Sequence, residues 1–188
     1  MKIVVFGLGY VGATAITWFA ANVWPLIRAG ESRAKLLIVG RDPRPEVIAL
    51  GELDGVTVTG EVPDPADYIA RAAVCINPVQ VGAGMQNKLI EFMAMRKAVV
   101  ATTVANEGIR ATPGDHLVIA DDAQSFADAV LALLADPARR DSLAEAARNY
   151  ILGHWTWEAH FLTLEAAMLA ALEDSAPPQN ALSSPQGD

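Results

Sequence analysis

Six short runs rich in β-branched and small apolar residues alternate with stretches of helical periodicity, and this alternation restricts the folding of the chain more than any other feature. The runs are Ile3–Phe6, Lys35–Val39, Val56–Thr59, Ala73–Asn77, Ala98–Ala101 and Leu117–Ile119. Helical patterns fall near Ala13–Ala29, Glu46–Leu50, Pro65–Arg71, Gln86–Met95, Ala123–Ala135, Pro137–Gly153 and Trp157–Leu172. Strands separated by helices join as parallel neighbours through right-handed crossovers. The expected fold is α/β: a single Rossmann-like three-layer domain over residues 1–174, with a mostly parallel sheet of about six strands. The helix after Asp122 shows the logic most clearly. Asp121 or Asp122 caps it, Phe126, Ala129, Val130, Leu133 and Leu134 share one face, and Asp136-Pro137 ends it.

A parallel sheet is covered on both faces and needs an apolar chain. The 188 residues are 52% hydrophobic, which suits one domain with a sizeable core but hardly two. A net charge of −8, with no cluster of Lys or Arg, argues against a nucleic-acid surface. The single cysteine, Cys75, has no partner for an internal disulfide and sits in an apolar run. It reads as a buried thiol in a reducing, cytoplasmic setting. Residues 175–188 are rich in Pro, Ser, Gln and Gly and read as a disordered tail. No charged side chain occurs between Lys2 and Arg28, so length alone admits a membrane span or a signal-like segment. Gly7, Gly9, Gly12, Asn22 and Pro25 interrupt that run, while Ile16, Phe19, Ala20, Val23 and Ile27 recur at helical spacing. A strand, a turn and a helix account for it better than a membrane segment does.

In an open α/β sheet, ligands bind where the carboxyl ends of strands lead into helices. Three loops take that position: Gly40-Arg41-Asp42, Gly60-Glu61-Val62-Pro63 and Pro78–Gln86. The last is followed by a short helix bearing Lys88 and Glu91. A glycine loop entering a helix presents bare N–H groups and the positive end of a dipole, which suits a phosphate. Lys88 falls in the first turn, where the dipole disfavours a cation unless an anion lies nearby. Glu91 is three residues on and faces the same side. The grouping fits a sugar nucleotide, with the diphosphate over the loop and Lys88 and the ribose hydroxyls on Glu91. The same residues also fit an ordinary exposed ion pair, and spacing does not separate the two readings.

A second glycine pattern lies at the front. Gly7-Leu-Gly-Tyr-Val-Gly12 follows a strand and precedes a helix, the context in which G-x-G-x-x-G binds a dinucleotide. Lys2–Gly12 resembles the start of NAD-dependent nucleotide-sugar dehydrogenases, so NAD is the alternative ligand. Such a site calls for an acid about 20 residues on, at the end of the second strand. Asp42 comes late for that role.

From Ile16 to Leu169 the chain resembles the C-terminal, donor-binding domain of a GT-B glycosyltransferase of family 4. The matching pieces are Trp18-Phe19, Trp24-Pro25-Leu26-Ile27, Leu37-Ile38-Val39-Gly40, Gly55–Gly60, Val62-Pro63-Asp64, Gly82-Ala83-Gly84-Met85-Gln86-Asn87-Lys88, Glu91-Phe92-Met93-Ala94 and Trp155-Thr156-Trp157-Glu158. The resemblance implies donor contacts from Gly82, Gly84, Met85, Gln86, Asn87, Lys88 and Glu91. It also implies contacts to the base from Gly60 and Val62, with Arg41, Gly7 and Gly9 bordering the diphosphate. A complete enzyme of this kind moves a sugar from a nucleotide-diphosphate sugar to an acceptor with retention, using neither a metal nor another cofactor. The chain departs from the pattern at Ala83, where the wider family carries a carboxylate, and at Gly7–Ala13, where it often carries a basic residue. The acceptor-binding N-terminal half has no counterpart. The chain is therefore expected to be a fragment, to pair with an N-terminal acceptor domain on a second chain, or to be a non-catalytic binding module. His116, His154 and His160 lack metal-site spacing, so no metal site is expected. Glu107-Gly108, after the fifth strand, is placed to approach the donor but reads better as a plain turn, and Trp155 and Trp157 read as anchors for the last helix.

Overall fold

The computed structural model describes residues 2–6, 10–82 and 84–174. The chain divides into two compact units, Met1–Leu152 and Gly153–Asp188.

The first unit contains a sheet of six strands: β1 Lys2–Phe6, β2 Lys35–Val39, β3 Val56–Val58, β4 Val74–Asn77, β5 Ala98–Ala101 and β6 Val118–Ile119. All adjacent pairs run parallel, in the order β3-β2-β1-β4-β5-β6. This is the expected α/β fold with a Rossmann-like sheet. The order reverses between β1 and β4, so helices leave the two neighbouring strands in opposite directions and open a crevice at their carboxyl ends.

The helices are α1 Tyr10–Asn22, α2 Trp24–Gly30, α3 Pro45–Ile48, α4 Pro65–Ala70, α5 Asn87–Ala94, α6 Thr103–Asn106, α7 Ala123–Ala135, α8 Pro137–His154 and α9 Trp157–Asp174. A 3-10 turn, Ala49–Glu52, follows α3. The long front helix expected over Ala13–Ala29 is two helices. Pro25 lacks an N–H and cannot continue α1, so the chain restarts with proline in the first turn of α2. Asp122 is the cap of α7, its carboxylate accepting from the Ser125 N–H at 2.9 Å. Asp121 instead accepts from the N–H and hydroxyl of Thr103, both at 2.7 Å, and ties the carboxyl end of β6 to the start of α6. Helix α6 had no counterpart in the sequence pattern, and the turn expected at Glu107-Gly108 follows it.

Ile3, Leu36, Ile38, Val74, Ile76, Ala98 and Val100 share one buried cluster with Phe19, Ile27, Phe126 and Val130 from the covering helices. Phe19 and Phe126 meet edge to face at 5.5 Å. Side chains alternate across a strand, so Cys75, Asn77, Val99 and Ala101 point to the opposite face. There α5 packs on β4 and β5 and buries Leu89, Phe92 and Met93. Burial pushes the Cys75 thiol well above its ordinary range, so it is the inert core thiol expected from its context. Helix α8 holds the far end of α5: Arg148 donates to the Ala94 carbonyl at 2.6 Å, and Arg96 pairs with Glu145. A cation at that end complements the helix dipole.

In the second unit, α9 exposes Trp157, Phe161, Leu162, Leu164, Met168, Leu169 and Leu172. Within this unit the Trp157 ring lies 6.3 Å from the Phe161 ring of the same helix. The expected tail, 175–188, lies outside the described residues. Among the described residues no helix is long and apolar enough to cross a membrane.

Candidate functional site

The loop from Pro78 to Gln86 leaves β4 at the reversal of strand order and enters α5. It turns through Gly82 at φ 146° and Gly84 at φ 106°, left-handed values that a side chain adopts only with strain. Gln86 occupies the N-cap of α5 without capping it through its side chain, and the first turn contains no acid. The N–H groups of Gly84, Met85, Gln86 and Asn87 donate to no acceptor among the described residues. Several bare donors therefore sit at the positive end of a helix dipole, with Met85 and Val81 exposed beside them.

Lys88 stands on that first turn and Glu91 on the next, three residues on and on the same side, as their spacing predicted. The Lys88 ammonium donates to Glu91 Oε2 at 3.0 Å and to Oε1 at 3.3 Å, and both side chains are roughly half-exposed. An exposed pair of this kind contributes under about 1 kcal/mol to stability. Its chemical interest is position: an ammonium and a carboxylate beside the bare N–H groups can receive an anion and a polar hydroxyl side by side.

Other predicted residues stand apart. Arg41 follows β2 and pairs with Glu61 at 2.6 Å, and the Gly40 N–H reaches the Gly60 carbonyl at 3.3 Å. Gly60 holds φ 70°, and Val62 beside it is half-buried. This group lies on the β2–β3 side of the sheet, and the Gly82–Glu91 group lies on the β4 side, with β1 between their strands. Gly7 and Gly9 follow β1 and lie outside the described residues, as does Ala83.

Three contributors escaped the sequence reading. Gly108 is a turn residue, as expected, but it backs directly onto the glycine loop. A β-carbon there would stand 3.1 Å from the Gly84 carbonyl oxygen and 3.1 Å from Met85 Cα. Thr102, at the end of β5, is buried. Its hydroxyl donates to the Val79 carbonyl and accepts from the Ala105 N–H, pinning the loop's first residues while capping α6. Asn77, the last residue of β4, is buried, and its side-chain nitrogen has no partner among the described residues. A polar residue closing the run Val-Cys-Ile-Asn was the one available signal. His116 is structural: its Nδ1 accepts from the Thr112 N–H and its ring stacks on Tyr150. Among the described residues no three His, Cys, Asp or Glu side chains converge as metal ligands.

Comparison with known proteins bears on the fold and the family. The lipopolysaccharide core biosynthesis mannosyltransferase LpcC of Rhizobium leguminosarum bv. viciae is 25% identical over 154 residues, 81% of this chain and 44% of that protein. The chain thus spans less than half the length of that curated relative. The structure of Anabaena HepE in complex with UDP and glucose superposes with a TM-score of 0.67 at 13% identity, over 90% of this chain and 48% of that one. The C-terminal domain of a group 1 glycosyl transferase, LpcC of Francisella tularensis, superposes with a TM-score of 0.62 at 15% identity, over 83% of this chain and 86% of that one. The family model for glycosyl transferases group 1 matches residues 2–136, which hold the whole sheet and the loop before α5. By fold and by that match, the chain belongs to the glycosyl transferases group 1 family.

Proposed function

We propose that this chain binds a nucleotide-diphosphate sugar and forms the donor half of a retaining, metal-independent glycosyltransferase. The observation that carries this reading is the uncapped start of α5. Its unbonded N–H groups lie behind two positive-φ glycines, next to the Lys88–Glu91 pair, at the point where the strand order reverses. The UDP and glucose bound by HepE, whose fold this chain shares over about half its length, support the choice of ligand.

In this reading the N–H groups of Gly84–Asn87 and the Lys88 ammonium receive the diphosphate. Glu91 accepts from the ribose hydroxyls. Gly60 and Val62 border the base, and Arg41 reaches the phosphates after exchanging its contact with Glu61. Negative charge grows on the diphosphate as the bond to the sugar breaks, so donors fixed around it stabilise the transition state more than the ground state. Transfer further requires an acceptor held against the sugar. That task falls to an N-terminal acceptor domain or a second chain, which completes a cytoplasmic enzyme.

Thermal unfolding and calorimetry with uridine, guanosine and adenosine diphosphates, beside NAD, test the assignment. One diphosphate at a hundred times its dissociation constant should stabilise the protein by about 2.7 kcal/mol. Lys88→Ala and Glu91→Ala should each weaken that binding about tenfold or more while barely moving the melting temperature of the free protein. Unchanged affinity in Lys88→Ala sinks the reading. Stabilisation by NAD alone assigns the ligand to the front glycine pattern instead.

A further inference from the structure

Asn77 ends β4 as its only polar residue, and it is 6% exposed. Its main-chain carbonyl accepts from the Thr102 N–H at 3.3 Å, which anchors the residue between β4 and β5. Its side-chain Nδ2 is buried without a partner among the described residues. A buried donor with nothing to bond is destabilising, and native proteins keep few of them. Such a group is explained when something outside the protein chain completes it.

Its position identifies that something. Val74 and Ile76 belong to the core on the α1 and α7 side, so alternation turns Asn77 to the face covered by α5. On that face, at the carboxyl end of β4, the next structure along the chain is the loop Pro78–Gln86 and then the start of α5. The amide therefore lies beneath the surface at the carboxyl end of β4, on the face that α5 covers, where the chain passes into the loop that carries the bare N–H groups of Gly84–Asn87. The neighbouring donors select an oxygen acceptor with negative charge: N–H groups unbonded among the described residues at an uncapped helix start, and the Lys88 ammonium, which here pairs with the Glu91 carboxylate. A neutral amide adds one more donor there without adding a second cation to a helix N-terminus.

We infer that Asn77 is a ligand-binding residue, its Nδ2 donating from the carboxyl end of β4 to a phosphate oxygen of the bound nucleoside diphosphate. The inference rests on the donor-site reading above, and it is specific to the phosphates as opposed to the base or ribose.

The test uses the full chain and whichever of uridine, guanosine or adenosine diphosphate binds the wild type best, with its monophosphate and nucleoside as truncated probes. Asn77→Leu removes the donor at similar volume, and Asn77→Asp keeps the shape but faces the phosphates with a carboxylate. Asn77→Leu should leave the melting temperature of the free protein unchanged or raise it, because an unpartnered donor is gone, and should weaken diphosphate binding about tenfold. Asn77→Asp should weaken the diphosphate more than the monophosphate and leave the nucleoside unaffected. Equal losses across the three probes overturn the assignment to a phosphate. A lower melting temperature in Asn77→Leu with unchanged diphosphate affinity overturns the binding role and makes the amide structural. If the wild type binds none of the three diphosphates, the donor-site reading falls and this one with it. If the wild type binds and both variants bind equally well, only the role of Asn77 falls.

Discussion

Gly108→Ala presses on the glycine loop from behind, through the backbone of Gly84 and Met85, without altering any side chain assigned to the ligand. The new β-carbon would meet the Gly84 carbonyl oxygen and Met85 Cα at 3.1 Å and the Gly84 carbonyl carbon at 3.3 Å, all of them backbone atoms. Gly108 does not adopt a positive φ, so alanine incurs no backbone strain there. Reduced freedom in the unfolded chain favours the variant by about 0.4–1 kcal/mol. Overpacking opposes it by about 1–3 kcal/mol. Gly84 is exposed on its far side, so the loop can yield by a few tenths of an ångström and keep that penalty at the low end. The net loss should be about 1 kcal/mol or less, a fall of about 2–4 °C for a chain of this length.

Binding should suffer more than stability. The displaced segment carries the bare N–H groups, and a hydrogen bond to a charged acceptor is worth about 1.5–3 kcal/mol. Losing alignment at one of them weakens diphosphate binding about tenfold or more. Calorimetry with the best-bound nucleoside diphosphate, run beside thermal unfolding, measures both effects. Gly51→Ala is the control, since its β-carbon would meet only Val58 Cγ2, at an ordinary 3.8 Å. A Gly108→Ala protein that melts as expected and binds the diphosphate with wild-type affinity refutes the role given to this loop.

Two further substitutions test the supports of the site. Thr102→Val keeps the shape but strips the hydroxyl that serves the Val79 carbonyl and the Ala105 N–H, both in a buried setting. It should lower stability by about 1–3 kcal/mol, read as a lower denaturation midpoint with an unchanged slope; a change below about 0.5 kcal/mol refutes the linkage. At Asp122, hydrogen bonds from the Ser125 N–H and then the Ser125 hydroxyl hold the carboxyl below its ordinary value. A lowered folded pKa stabilises above the unfolded value, near 3.9, and that contribution is lost as pH falls through the folded value. The melting temperature of Asp122→Asn should therefore trail the wild type at pH 7 and approach it at pH 3, and a gap that stays constant between those pH values refutes the linkage.

The fold was legible wherever a local period decided it. Strands β2 and β5 and helix α7 begin and end where the apolar runs and the caps place them, because period 2, period 3.6 and a capping carboxylate act within a few residues. The front helix was misjudged because its apolar stripe continues across Trp24 while Pro25 stops the hydrogen bonds beneath it, so the pattern of side chains and the pattern of backbone bonds disagreed.

The candidate site divides in the same way. Lys88 and Glu91 meet because three residues of helix bring them to one side, and the glycines before α5 announce a turn that few other residues make. No local rule placed β1 between β2 and β4, and that order alone puts the loop before α5 at the mouth of a crevice. Nor did the sequence mark Gly108 as the backing of Gly84, or the side-chain nitrogen of Asn77 as a donor left without an acceptor. Those facts depend on distances between segments 24 or more residues apart, or on everything that surrounds one buried atom. Chain periodicity carries no record of either, because both arise only when the sheet closes in one register and brings its loops to a common edge.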